Sequence, residues 1–501
     1  MNRVWVIAVW SMVLFLAAWM RFEDLGSRPF HADEATGARI TAARMSGEKG
    51  GRFDPKHYHG PLLGDAAVVV SRVRGEGGWK EMTKETLRMV PAAAGVLVVM
   101  LPVFWRRRVG DVPAVVAGAL LAVSPLLVYY SRMFIHEMLL VLAGGAVLAC
   151  FAGRRPRFLW AGVCFGLMFA VKETFVISVL AWGGALAATM MCQSDWRSRE
   201  RLGAWVRDYA RPFALMVGVA VVVSMVFYTR LFTQPMGAWD AVRTFFVYET
   251  VAGHDKPWWW YGQWFGWPQK AAGMWWYECV VLWVAGMVFL ASWLPGAGRC
   301  TERHWLRFLG FSVIGHWVIY SLFGYKTPWL MCLPWLHVCV LAGFGVMLLA
   351  SRVWAMVAVG AMGVGLVWPM SKISNKASHR LASDARNPYA YVPTRTDVER
   401  MEDFLNQLRP LSDRDVVAVI GADYWPLPWY LRSFSRTGYW AEPPEGLRDW
   451  PFVMVLPDRV DQVSIGLAES HVALPRGLRA EVPVWLMVRK DIWEKWMGDK
   501  P

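Results

Sequence analysis

Eleven stretches of the chain contain no Asp, Glu, Lys or Arg: residues 4–20, 89–105, 112–131, 138–153, 158–171, 174–194, 212–229, 279–298, 308–325, 327–351 and 353–371. A helix needs ~20 apolar residues to cross about 30 Å of hydrocarbon, and most of these runs are near that length. Run 158–171 is short and needs Lys172 and Glu173 at its rim to complete a span. One or two such runs fit the buried helices of a large soluble protein; eleven do not. The first run follows Arg3 but ends without a small-residue cleavage site, so it reads as a retained helix rather than a signal peptide. The expected architecture is a polytopic α-helical membrane protein with about eleven transmembrane helices.

Beyond about residue 371 the pattern changes to that of a soluble domain. Residues Asp397–Leu408 predict an amphipathic helix, and 415–421, 451–457 and 482–488 predict strands. That alternation suggests a small C-terminal α/β domain of roughly 110 residues, enough to bury a core. The division is therefore a transmembrane module, residues 1–371, carrying long loops 21–88 and 230–274, and a soluble domain, residues 372–501.

Charge sets the expected orientation. The connectors after even-numbered runs hold Arg106–Arg108, then Arg154, Arg155 and Arg157, then Arg197, Arg199, Arg201, Arg207 and Arg211, then Arg299, Arg303 and Arg307, and finally Arg352. Short, Arg-rich connectors belong in the cytoplasm, with Arg3. The C-terminal domain is then extracytoplasmic, and the protein belongs to the cytoplasmic (inner) membrane. The net charge of +14 is what this topology requires, and no nucleic-acid-binding pattern accompanies it. All seven cysteines precede the C-terminal domain, which is therefore not built on disulfides.

Candidate chemistry gathers on the opposite, outer side. Arg28-Pro29-Phe30-His31-Ala32-Asp33-Glu34 opens a surface-lying helix over 35–45. Asp33 can cap that helix, but capping does not account for Glu34 beside it and His31 two residues earlier. Adjacent carboxylates can divide labour, one taking a proton and the other supporting it. Asp33 and Glu34 are the catalytic candidates. A second cluster follows at Asp54-Pro55-Lys56-His57-Tyr58-His59-Gly60-Pro61, and Leu62–Val73 then reads as a second interfacial helix. In an extended segment His57 and His59 point the same way. With Asp33 or His31 they could bind a divalent ion; contact with lipid phosphate or acceptor is equally open.

Three short outer turns add Arg132, His136 and Glu137; Lys172 and Glu173; and Lys326. The acids beside the bases suggest a paired network at head-group depth that could hold a phosphate through Arg132, Lys172 or Lys326. Loop 230–274 contributes Glu249 and His254, with a Trp-rich stretch at 258–267 that reads mostly as interface anchors.

Phe30-His31-Ala32-Asp33-Glu34, together with Lys326-Thr327-Pro328-Trp329-Leu330-Met331-Cys332-Leu333-Pro334, resembles the lipid-dependent membrane glycosyltransferase superfamily of GT-C type. Its protein O-mannosyltransferases and lipid A aminoarabinose transferases are the nearer branches. Asn387-Pro388-Tyr389-Ala390-Tyr391 and Tyr424-Trp425-Pro426-Leu427-Pro428-Trp429-Tyr430 resemble its prokaryotic flippase-activity-associated branch. The resemblance implies inverting transfer of a sugar from a polyprenyl-phosphate donor to a glycan, lipid or protein acceptor outside the membrane. It implies Asp33 as the base and Lys326 near the donor phosphate. Trp329 departs from the Tyr or His common in the family, which leaves the acceptor open. A lipid transporter or flippase, or a nonenzymatic assembly component, is the competing reading. A transporter is expected to carry mid-membrane ionisable groups or paired broken helices.

Overall fold

A computed structural model describes residues 3–192, 199–249, 255–294, 300–349 and 351–498. The chain is a largely α-helical, multi-pass membrane protein ending in a small β-rich region. Helix α1 (Arg3–Phe22) shows the membrane logic: Val6, Trp10, Ala17 and Met20 are buried, while Val4, Ile7, Met12 and Phe15 are exposed. In water such a face would be a liability; in lipid it is the solvated side.

The expectation of about eleven transmembrane helices is overturned. Among the described residues, five helices are long and apolar enough to cross: Val4–Phe22, Lys84–Val109, Gly203–Tyr228, Pro328–Leu348 and Val353–Ser378. A bent pair, Asp111–Val123 and Pro125–Ser131, makes at most a sixth. The runs Glu137–Ala152, Phe158–Val171, Phe175–Met191 and Cys279–Ala291 fold as shorter apolar helices. The physical reason is that a charge-free run measures composition, not unbroken helix. At about 1.5 Å per residue, a 14-residue helix reaches only about 21 Å.

The bend after Val123 illustrates how a run is cut. Pro125 disfavours helical geometry at Ser124, whose φ of −57° and ψ of 119° break the helix with a 58° turn. Several of the freed groups find partners. Arg21, fully buried, donates to the carbonyls of Leu121 at 3.0 Å and Ala122 at 2.9 Å. The Leu126 N–H donates to buried Glu278 at 3.1 Å, and the Tyr389 hydroxyl donates to the same carboxylate at 2.6 Å.

The first long loop folds over one end of the bundle as helices α2 (Ala32–Ser46) and α3 (Leu62–Val73) before α4 (Lys84–Met100) begins. Buried Arg44 on α2 pairs with Asp65 on α3 at 2.5 Å. The segment between them passes close to a helix end: a Cβ on Gly60 would lie 2.2 Å from the Ala170 carbonyl, so only glycine fits.

A short hairpin pairs β1 (Gln269–Ala271) with β2 (Met274–Trp276). The C-terminal region carries β3 (Val416–Ile420), β4 (Arg436–Trp440), β5 (Phe452–Val455), β6 (His471–Arg479) and β7 (Val482–Arg489) in the order β4-β3-β5-β7-β6. The first three are parallel, and β7 and β6 run antiparallel. The predicted helix Asp397–Leu408 and all three predicted strands are present. Two further strands make the region richer in β-structure than the expected α/β domain. Both are edge strands whose sequence hides them: β4 is polar, and β6 carries Pro475, which an edge tolerates. The interior strands Val416–Ile420 and Phe452–Val455 are buried throughout.

Candidate active site

The N-terminus of α2 is capped by His31, and the alternative of Asp33 as the cap does not hold. The His31 Nδ1 accepts the Asp33 N–H at 3.1 Å, and Glu34 reaches back to the His31 N–H at 3.0 Å. The reason is positional: the cap must stand outside the helix in extended geometry, and His31 does so at φ −71° and ψ 157°. The His31 Nε2 lies 3.1 Å from the Tyr391 carbonyl. An Nδ1 that accepts and an Nε2 that donates define one neutral tautomer. The Asp33 carboxylate is thereby released from capping and stands half-exposed.

Glu34 is its opposite. Fully buried, its two oxygens accept from Arg88 Nε at 2.7 Å and Arg88 Nη2 at 2.8 Å, and Oε1 also accepts the Phe134 N–H at 2.8 Å. Burial opposes the charge, but Arg88, then Arg28, outweigh it and hold the carboxyl at about 2. Arg88 donates as well to the carbonyls of Leu25, Arg28 and Pro29, so a single side chain fixes the approach to Asp33.

The two-histidine cluster splits. His57 sits in a turn, exposed, 2.9 Å from Asp54 and 3.9 Å from Glu249, while Lys56 pairs with Glu249 at 2.9 Å. His59 turns inward, because the turn at 55–57 breaks the alternation an extended strand would give. Its Nδ1 meets Glu173 at 3.1 Å and its Nε2 meets the Tyr248 hydroxyl at 3.4 Å. His136 packs against it with ring centroids 5.1 Å apart, and Lys172 donates to Glu137 at 2.6 Å. Burial, then the neighbouring His59 and Lys172, push His136 well below its ordinary value, so it is neutral. Burial also penalises the Lys172 charge, but Glu137 and Glu173 overcome it and raise its pKa. Two of the three short turns thus meet in one network with His59 and Tyr248, and the Lys326 turn is not part of it. His254 lies outside the described residues. Among the described residues, no three His, Cys, Asp or Glu side chains are placed to hold a metal ion.

Three phenols from separate elements feel the Asp33 charge. Burial raises all three; after it, Glu173 is the main raising charge on Tyr248 and Asp33 the main one on Tyr325, at about 12, and on Tyr391. All three are protonated donors at neutral pH. Beside them a cleft is lined by Arg28, His31, Tyr130, Trp329, Tyr389 and Tyr391, among others.

The basic candidates are not equivalent. Arg132 is almost fully buried, and its guanidinium meets the carbonyls of Met20, Arg21, Glu23 and Asp24. Lys326 is buried too, donating to the carbonyls of Lys256 at 3.1 Å and of Phe323. An ammonium has three donors, so one remains. Arg28 lines the cleft, its guanidinium 4.7 Å from the Tyr129 ring centroid.

No protein-family model and no curated protein matches the chain. Solved structures do. ArnT from Cupriavidus metallidurans bound to undecaprenyl phosphate superposes with a TM-score of 0.64 at 16% identity, over 97% of this chain and 98% of that one. Its apo state gives 0.63 at 16%, over 96% and 97%. The Archaeoglobus fulgidus oligosaccharyltransferase tethered with an acceptor peptide gives 0.52 at 12%, over 87% and 64%. The chain shares the fold of these structures.

Within this fold, two features escaped the sequence reading. Arg88 stood at the head of an apolar run, where an arginine reads as an interfacial anchor. The motif around Tyr430 proves to be a brace. Its hydroxyl accepts the Phe30 N–H at 2.7 Å, Trp429 packs on Phe30 with ring centroids 4.2 Å apart, and Thr394 donates to the Phe30 carbonyl at 2.9 Å. The C-terminal region therefore grips the residue next to His31.

Proposed function

We propose that this protein transfers a sugar from a polyprenyl-phosphate-linked donor to an acceptor at the outer face of the cytoplasmic membrane, with inversion. The observation that carries the reading is the division between the two neighbouring acids. Glu34 is buried and locked by Arg88, whereas Asp33 is half-exposed and free of capping. The fold adds weight, since ArnT, of like fold, is seen with undecaprenyl phosphate.

In this mechanism Asp33 takes the proton of the acceptor hydroxyl as that oxygen bonds to the sugar's anomeric carbon. The bond from that carbon to the phosphate oxygen breaks, and its electron pair leaves with the polyprenyl phosphate. Attack from the side opposite the phosphate inverts the centre. Lys326, with one ammonium donor uncommitted, and Arg28, which lines the cleft, answer the charge on the departing phosphate. Glu34 and Arg88 position Asp33, and the His59–Glu173–Tyr248 chain orients Tyr248. The transmembrane module, residues 1–371, holds this machinery, and residues 372–501 brace it from outside.

The test follows membranes containing the chain, supplied with a panel of radiolabelled polyprenyl-phosphate sugars, for label transfer and release of free polyprenyl phosphate. Asp33→Asn leaves the His31 cap intact and should still bind donor, while transfer falls by roughly 10²–10⁴-fold. A fully active Asp33→Asn protein refutes the role of Asp33; no turnover of any donor by the native chain refutes the transferase reading.

A further inference from the structure

Three arginines outside the site just described converge on a second concavity, about 380 Å³ in volume, in the C-terminal region. Arg395, Arg476 and Arg479 line it with Asp397, Gly477 and Glu481. Its making is unusual for a strand edge. Residues three apart on a regular strand face opposite ways, but β6 shifts register between Gly477 and Arg479, and the extra residue brings Arg476 and Arg479 to one cavity. Gly477 makes room: a Cβ there would lie 2.6 Å from Arg395 Cδ. Of the two acids, Asp397 is engaged by the Gly477 N–H at 2.7 Å. Arg479 is anchored at its far end to the Asp423 carbonyl at 3.1 Å and to the Asp423 carboxylate. The Nε atoms of Arg476 and Arg479 are buried and without a hydrogen-bond partner. Buried donors of this kind ordinarily find an acceptor.

The cavity and the cleft lined by His31 are bordered by consecutive residues. Thr394 pairs with Arg479 across an isolated bridge, lines the cleft together with His31, and holds the Phe30 carbonyl, while the next residue, Arg395, lines the cavity. We propose that Arg395, Arg476 and Arg479 bind a phosphate group carried by the acceptor, presenting its hydroxyl toward Asp33. This rests on the transferase reading above. Guanidinium forks suit a phosphate geometrically, and a cavity of this size holds a phosphorylated sugar unit. The two unpartnered Nε donors of Arg476 and Arg479 are what a neutral acceptor would leave unmet there.

The experiment uses the full chain in nanodiscs of neutral lipid, titrated calorimetrically with a hexose 1-phosphate, inorganic phosphate and the unphosphorylated hexose. Hexose phosphate should bind, the neutral hexose should not, and Arg476→Gln or Arg479→Gln should weaken binding roughly 10–100-fold each, as expected for a lost charge-assisted bond. Arg395→Gln changes an exposed residue and should weaken binding while leaving the melting temperature unchanged. Inorganic phosphate binding as tightly as the hexose phosphate would mean that free phosphate, not an acceptor, is the ligand, and would overturn the proposal. So would binding that is unchanged in the arginine variants, or no phosphate binding at all. Asp33→Asn must leave this binding intact. Phosphate binding without donor turnover by the native chain would sink the transferase reading alone; turnover with no arginine dependence of acceptor KM would sink this one alone.

Discussion

Breaking the Glu34–Arg88 pair should destabilise the protein by about 3 kcal/mol, and the loss should depend on both partners. Both side chains are fully buried, and the carboxylate receives both arginine bonds at 2.7 and 2.8 Å. Holding Glu34 at about 2 against an ordinary 4.5 corresponds to about 3 kcal/mol of preference for the charged form in the folded state. Removal of one member of a buried pair ordinarily costs ~3–5 kcal/mol, because the other charge stays behind without compensation. The two routes agree. Glu34→Gln and Arg88→Met should each lower stability by about that amount, and the double variant should lose less than their sum. The assay is reversible unfolding in mixed micelles with increasing denaturing detergent, fitted as a double-mutant cycle. The sign with pH follows from the depressed folded pKa. The contribution is complete above about pH 4.5, where the unfolded carboxyl is ionised, and fades as pH falls toward 2. Single-variant losses that add to within about 0.5 kcal/mol, or wild-type stability unchanged by acid over that window, would refute the coupling.

Other perturbations test the surrounding frame. Tyr430→Phe removes the acceptor for the buried Phe30 N–H and should cost ~1–3 kcal/mol in the same titration, with reduced transfer because the His31 cap is no longer braced. Lys172→Met should destabilise the native chain by ~3–5 kcal/mol but do far less in a Glu137→Gln background, since the pair is buried on both sides. A reporter fused after Ser378 should be active outside the cytoplasm and one inserted among Arg154, Arg155 and Arg157 inside it; the reverse pattern overturns the proposed orientation. Arg132→Lys should lower stability without selectively weakening donor binding, because four backbone carbonyls already claim the guanidinium.

Hydrophobic patterning alone determined that the chain enters a membrane several times and that buried strands follow in the C-terminal region. Long apolar faces have no other stable solvent, and a buried strand such as Val416–Ile420 declares itself by composition. Residue chemistry alone also drew attention to Asp33, Glu34 and the acid–base pairs at the turns. Tertiary structure decided the rest. Helix length depends on where a backbone can stay helical, and Pro125 ends a run that charge counting leaves whole. The roles of Asp33 and Glu34 depend on what packing leaves to each: Arg88, far along the chain, locks Glu34, while His31 takes the cap and leaves Asp33 half-exposed. His57 and His59, two residues apart, part company because a turn aims one at solvent and the other at Glu173. Arg476 and Arg479 share a cavity only because a bulge rotates the strand between them. A sequence carries each group's chemistry and local period; which group is buried, paired or left free is set by long-range packing, and that sorts catalytic candidates from scaffolding.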